Sequence, residues 1–191
     1  MSFDHSLVFW LNFDVLGMST SLNSTVVFFA VYFPYVVALL FVFFAFRQWP
    51  LAYQRLVLVA EGISAGIAAR IGVEIIRLFI PRLRPLVVDH IAHVLFIETS
   101  YSFPSGHASF FFALSTIVYF YNKRWGFWFF IASASIGFAR VVAGVHYPTD
   151  ILGGMILGIA VGWGIHWCFK NPQVFKVRKE LSPSSLGKRG W

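Results

Sequence analysis

TVVFFAVYFPYVVALLFVFFAF, residues Thr25 to Phe46, runs through 22 positions without a single charged side chain. At about 1.5 Å of rise per residue, a helix of that length crosses the roughly 30 Å hydrocarbon core of a bilayer. The rest of the chain has the same character: of 191 residues 58% are hydrophobic, 19% aromatic and 12% charged, and 23 are phenylalanine. A soluble domain has too little polar surface here to cover such runs. The bilayer is therefore the solvent, and in lipid every backbone N–H and C=O must be paired within the span. The fold class that follows is all-α, a multi-pass transmembrane helical bundle. The net charge of +7 does not point to nucleic acid, because the basic residues are scattered through short loops and form no stripe. The single cysteine, Cys168, lies in an apolar run and allows no internal disulfide, and no Cys/His group has zinc spacing.

Outward from this span toward the N-terminus, residues 1–24 mix Phe, Trp and Leu with Asp4, His5, Asn12 and Asp14. They are too polar and too short to cross, and read as an interfacial or re-entrant helix; no cleavable signal-peptide pattern is present in them. Toward the C-terminus, a loop carrying Arg47, Trp49, Pro50 and Arg55 leads to a second span from about Leu56 to Ile80. A polar, proline-bearing connection follows over 81–104, with Asp89, His90, His93 and Glu98. Further spans run from about Ser105 to Tyr121, Phe127 to Val142 and Thr149 to Cys168, giving about five in all. The chain thus divides into an N-terminal interfacial segment (1–24), a transmembrane domain (25–169) and a basic tail (170–191). Gly154, Gly158 and Gly162 recur every four residues in the last span and read as a stripe for close helix packing.

Lys and Arg set the orientation. Arg47, Arg55, Lys123, Arg124 and six residues of the tail lie on one side, against Arg77, Arg82, Arg84 and Arg140 on the other. The positive-inside rule makes the tail cytoplasmic and puts the 81–104 connection and the turn at His146 on the outer face of a cell membrane. The second span also carries Glu61, Arg70, Glu74 and Arg77. Charges at membrane depth are expensive, and the spacings of four and three let Arg70, Glu74 and Arg77 pair on one side of a helix, with Glu74 holding Arg77 in place.

Three clusters of polar residues fall on that outer face. Arg77 and Arg84-Pro85 offer two guanidinium forks suited to phosphate oxygens, although an arginine at a helix end also snorkels to the interface. Pro104-Ser105-Gly106-His107 can end a loop and open a helix, whose unpaired amides form an anion site with His107 as a nearby proton donor. Pro-Ser-Gly is equally ordinary loop and cap chemistry. In the third cluster, Arg140, His146 and Asp150, Pro148 suits a first helical turn; Asp150 then falls in that turn, able to orient one imidazole nitrogen of His146 and leave the other free to attack.

Taken together and in order, Arg77…Arg84-Pro85, Pro104-Ser105-Gly106-His107 and Arg140…His146…Asp150 resemble the three signature motifs of the type 2 phosphatidic acid phosphatase family, over about residues 56–165. The resemblance implies a phosphatase that needs no metal or other cofactor. In it His146 attacks phosphorus, Asp150 orients it, and His107 protonates the leaving oxygen. Arg77, Arg84 and Arg140 bind the phosphoryl oxygens, aided by Ser105 and the Gly106 amide. Two positions depart from the pattern: Arg77 stands where lysine is usual, and Ala139 where serine usually precedes the arginine. The absence of a large domain between spans two and three, and the Arg84-Pro85-Leu86-Val87 stretch with His90 and His93 after it, look most like the bacterial undecaprenyl-diphosphate phosphatases of this family. The expected substrate is a lipid phosphate drawn sideways from the bilayer, first undecaprenyl diphosphate, with phosphatidylglycerol phosphate or phosphatidate as alternatives. A non-catalytic lipid-phosphate binding or transport protein would use the same arginines. The sequence admits a homo-oligomer without requiring one.

Overall fold

The computed structural model of the chain describes residues 3–15, 20–48, 52–88 and 95–171. Trp49, Asp89, His90, His93 and the tail beyond Asn171 lie outside the described residues. Among the described residues the α-helices are, in order, α1 Phe3–Trp10, α2 Thr20–Val27, α3 Phe33–Gln48, α4 Ala52–Phe79, α5 Pro85–Val88, α6 Gly106–Tyr121, α7 Lys123–Val142 and α8 Pro148–Lys170. The protein is an all-helical membrane protein, with no strand among the described residues. Among the described residues, four helical stretches are long and apolar enough to cross a bilayer: Thr20–Arg47, Tyr53–Phe79, Lys123–Val142 and Pro148–Lys170. The sequence expectation of about five counts α6 as well, a shorter helix of 16 residues at the centre of the bundle.

The first long helix starts at Thr20, ahead of the expected Thr25, and is continuous through a π-helical turn at Phe28–Tyr32 that joins α2 to α3. Pro34 gives the reason. It cannot donate to the carbonyl of Ala30, and its ring crowds that carbonyl, so the backbone widens by one residue per turn just before it, with Phe33 N–H reaching Phe28 O. The Ala30 carbonyl accepts instead from Arg140 Nη1 at 3.2 Å, which draws the first span to the end of α7.

α6 packs mainly on α8 and α7, then on α4. The glycine stripe of α8 makes this possible: a Cβ on Gly154, Gly158 or Gly162 would lie 2.4–2.8 Å from backbone oxygens of Ser105, Ser109 and Ala113 on α6. The packing role expected of that stripe is the one it has. Phe44, Leu58, Ala65, Ala69, Leu114, Ile117, Phe129 and Ile136 fill the space between α3, α4, α6 and α7. On the outside of α4, Ile63, Ile67, Ile71 and Ile75 form a row that is half exposed, an apolar face turned to lipid. Glu61, flagged by its depth, is fully buried and satisfied, accepting from Tyr121 Oη and pairing with His166 Nδ1, both at 2.5 Å. It ties α4, α6 and α8 together at the end of the bundle away from the three motif clusters.

At the other end, α1 is docked and not simply laid along the surface. Val8 and Leu11 are buried against Val141, Val142 and Tyr147, and Asp4 pairs with Arg82 at 2.9 Å. The N-terminal segment thereby covers the end of the bundle where the motif residues converge.

Candidate active site

Each motif is positioned by a helix terminus. Ser105 is the N-cap of α6, in extended conformation (φ −69°, ψ 120°), and its Oγ accepts from Ala108 N at 3.4 Å. This aims the first turn, with Gly106 and His107, into a cavity of about 630 Å³. Pro148 opens α8, and Asp150 in its first turn accepts from the N-cap amide, Tyr147 N, at 2.7 Å. His146 is held one residue before that cap, at the turn where α7 ends. Arg77 comes from the last turn of α4 and Arg140 from the last turn of α7.

The cavity brings together Arg77, Arg84, Gly106, His107 and His146, with Arg70 and Glu98 also on its wall, and its lining includes the apolar Val31, Pro34, Tyr35 and Ala38. His146 is 1% exposed. Its Nδ1 lies 3.5 Å from Asp150 Oδ2 and its Nε2 3.2 Å from Arg84 Nη1. The first contact is long for a hydrogen bond, as catalytic contacts often are before substrate binds. Burial pushes the His146 imidazole down to about 4 despite Asp150 beside it, and the cations Arg140 and Arg84 act in the same direction. The ring is therefore neutral at neutral pH, with a lone pair available. Arg84 is lowered by burial to about 10 and keeps its charge.

The three motif arginines are fixed by backbone carbonyls. Arg84 donates to Ser100 O at 2.7 Å and Val145 O at 2.7 Å, Arg77 to Pro104 O at 3.3 Å, and Arg140 to Ala30 O. Arg77 also pairs with Glu74 at 3.1 Å, as the helical spacing predicts, and Arg70 shares that carboxylate at the same distance. Ser105 is different from the other motif residues: its hydroxyl caps the helix and its amide donates to Asp150 O at 3.0 Å, so it shapes the cradle from behind the cavity wall.

Three residues with no role at the site in the sequence motifs also hold it together. Glu98 bridges Arg84 and Arg140, 2.7 Å from Arg84 Nη2, and those two guanidinium groups hold its carboxyl well below the usual range although burial alone would raise it. Ser102 donates to the same Asp150 oxygen that faces His146. Arg82 donates to Asp150 Oδ1 at 3.0 Å and Thr149 Oγ1 at 2.7 Å, with its guanidinium 3.9 Å from the Tyr147 ring centre. Only their place in the 81–104 connection hinted at this, since a loop residue carries no periodicity. Among the described residues, no group of three His, Cys, Asp or Glu side chains is placed to hold a metal ion.

Known proteins resemble the chain in the same region. It is 36% identical over 81 residues to undecaprenyl-diphosphatase BcrC of Bacillus subtilis, a match that spans 42% of each chain. It is 28% identical over 144 residues to lipid A 4'-phosphatase of Porphyromonas gingivalis, covering 71% of this chain and 59% of that one. The matched stretch thus spans about two-fifths to three-fifths of these relatives' length. The crystal structure of Aquifex aeolicus LpxE shares the fold, with a TM-score of 0.70 at 23% identity over 86% of this chain and 95% of that one. The PAP2 superfamily profile matches residues 55–173, from α4 through the whole of α8, which holds every motif described above, and the chain belongs to that superfamily.

Proposed function

We propose that the protein is a lipid phosphate phosphatase of the membrane whose preferred substrate is an isoprenoid diphosphate, undecaprenyl diphosphate first, cleaved to the monophosphate and inorganic phosphate. The observation that carries this reading is the buried His146 held between Asp150 and Arg84 on the lining of a cavity that also holds Arg70 and Arg77. Phosphoryl transfer asks for positioning and charge neutralisation more than for covalent chemistry. Arg77, Arg84 and Arg140 supply the charge, together with the Gly106 amide at the α6 N-terminus. Arg77 lines the cavity, and its Nε is buried and has no acceptor among the described residues, so a donor remains for a phosphoryl oxygen. His146 Nε2 attacks phosphorus to give a phosphohistidine, and His107 delivers a proton to the leaving oxygen. His107 then takes a proton from the water that hydrolyses the phosphohistidine.

The substrate is drawn from the bilayer, on the outer face, with the tail on the cytoplasmic side as the Lys and Arg distribution favours. Similarity to an undecaprenyl-diphosphatase supports the choice of lipid, and the apolar cavity wall from α3 suits an isoprenoid chain. The test is phosphate release from a panel of undecaprenyl diphosphate, phosphatidylglycerol phosphate, phosphatidate and lipid A in the presence of EDTA. Undecaprenyl diphosphate turning over fastest, at a rate that EDTA does not change, is the expected result. Activity that returns only with added divalent metal would overturn the mechanism, and tight binding of the lipids without phosphate release would favour a non-catalytic binder.

Glu98 occupies the gap between Arg84 and Arg140 that this mechanism assigns to the phosphoryl group, so substrate displaces an internal carboxylate. In Glu98→Gln, competitive inhibition by inorganic phosphate or vanadate should tighten about 3- to 10-fold, since a part-exposed ion pair is worth about 1 kcal/mol. An inhibition constant equal to that of the wild type would show that Glu98 and phosphate do not compete.

A further inference from the structure

We infer that Arg70, which belongs to none of the three motif clusters, binds the leaving-group phosphate of a lipid diphosphate and so sets the preference for diphosphates over monophosphates; the inference rests on the phosphatase reading above. Arg70 sits two helical turns below Arg77 on α4, on the wall of the same cavity. Its guanidinium lies over the first turn of α6: a Cβ added to Gly106 would meet Arg70 Nη1 at 1.6 Å. It is thus one residue from His107, to which the proposed mechanism gives the leaving oxygen. Glycine at 106 is what lets a cation come this close to the helix N-terminus.

The charge balance of this wall asks for an anion. Arg70 Nη2 and Arg77 Nη1 both lie 3.1 Å from the same oxygen, Glu74 Oε1, so two guanidinium groups share one carboxylate. A net cation remains, nine residues inside the end of α4, on a side chain that is half exposed and so open to an incoming anion. The lining of the same cavity also includes the apolar side chains Val31, Pro34 and Tyr35. Down α4, Arg77 of the motif cluster comes first and Arg70 lies two turns deeper, against Gly106 and on the same cavity as His107 and His146. A lipid monophosphate held by the motif arginines has an uncharged alkyl oxygen and chain at the level of Arg70. A lipid diphosphate has its second phosphate there.

The chemistry fits that placement. The His146 Nε2 lone pair forms a bond to the terminal phosphorus while the bond from that phosphorus to the bridging oxygen breaks. The bridging oxygen keeps the electron pair, takes the proton of His107 and departs as part of the lipid monophosphate. Charge grows on that leaving phosphate as the bond breaks, and Arg70 is the cation on its side of the cavity. Water then hydrolyses the phosphohistidine, returning a proton to His107 and releasing inorganic phosphate.

Farnesyl diphosphate and farnesyl monophosphate share one tail and differ by one phosphate, which makes them the probes. In Arg70→Gln, kcat/KM for the diphosphate should fall on the order of 10- to 100-fold, the worth of a hydrogen bond to a charged group, while that for the monophosphate changes less than about 3-fold. Arg70→Lys should recover part of the loss. A parallel fall on both lipids, or no fall on either, overturns the inference. Binding of a farnesyl methylenediphosphonate and a farnesyl phosphonate to the same proteins separates the two readings: if the wild type hydrolyses neither lipid, the phosphatase reading fails. Arg70 is then decided by whether Arg70→Gln weakens the diphosphonate alone, by about 10-fold or more.

Discussion

His146→Ala is expected to remove phosphatase activity by at least about 10³-fold, because it deletes the imidazole that Asp150 and Arg84 hold on the cavity lining. The same substitution should abolish the covalent intermediate. Rapid acid-free quenching of wild type turning over a ³²P-labelled lipid should trap label on the protein that survives alkali and is lost in acid, as a phosphoramidate is. His146→Ala should carry none. Because His146 is buried against Arg84, the variant is compared by thermal unfolding as well, and His146→Gln serves where alanine unfolds. The pH profile gives a further reading. With its imidazole depressed to about 4, His146 stays in the basic form as the pH falls through 6.5, so the acid limb of kcat/KM assigned to it should lie below 6.5. The sign for stability is the same: a depressed histidine favours the folded state above the unfolded value near 6.5, and that contribution is lost as pH falls from there toward 4. Activity within about 10-fold of wild type in His146→Ala would remove the histidine nucleophile from consideration.

Asp150→Asn should be nearly as damaging, lowering kcat by roughly 10²- to 10⁴-fold while leaving the cavity in place, the scale set by amide replacement of an orienting aspartate elsewhere. The carboxylate accepts from Tyr147 N, Ser102 Oγ and Arg82 Nη1 besides facing His146 Nδ1. An amide keeps the shape but turns a donor toward at least one of those donors, leaving a buried N–H group without an acceptor, at a cost of about 1–3 kcal/mol in stability. The two effects are separable by measuring kcat and the unfolding midpoint on the same preparation. A lowered midpoint with kcat intact would make Asp150 a helix cap and nothing more. Ser102→Ala provides the contrast, since it removes one partner of the carboxylate and leaves its charge.

Much of this could be read before any coordinates. Helix spans follow from apolar length, and α4, α7 and α8 lie within a few residues of where the sequence puts them, because lipid allows no other backbone for such runs. Pro148 and Asp150 announce the start of α8 by local cap chemistry, and Ser105-Gly106 announces α6 in the same way. The start of the first long helix was less legible: Thr20 to Ser24 are polar but for Leu22, yet helical, since they continue a helix that the apolar run behind them has already nucleated. The part played by α1 was not legible at all. Asp4 reaching Arg82, and through it Asp150, joins residues 78 and 68 apart in the chain, and no periodicity encodes such a contact.

What the sequence by itself determined, then, is a helical membrane protein and the residue types at three helix ends: arginines, a capped glycine-histidine turn, and a histidine one residue before the cap of α8. These are local consequences of hydropathy, propline and serine placement, and helical spacing. Only the tertiary structure decided which of those residues share a cavity and what already holds them. Glu98 lies between Arg84 and Arg140, Ser105 faces away into its own cap, and Arg70 rests on Gly106 beside His107. Those facts depend on how closely α4, α6 and α8 approach, which is set by small residues packing against backbone across the bundle, and side-chain partners at that range are chosen by three-dimensional proximity alone.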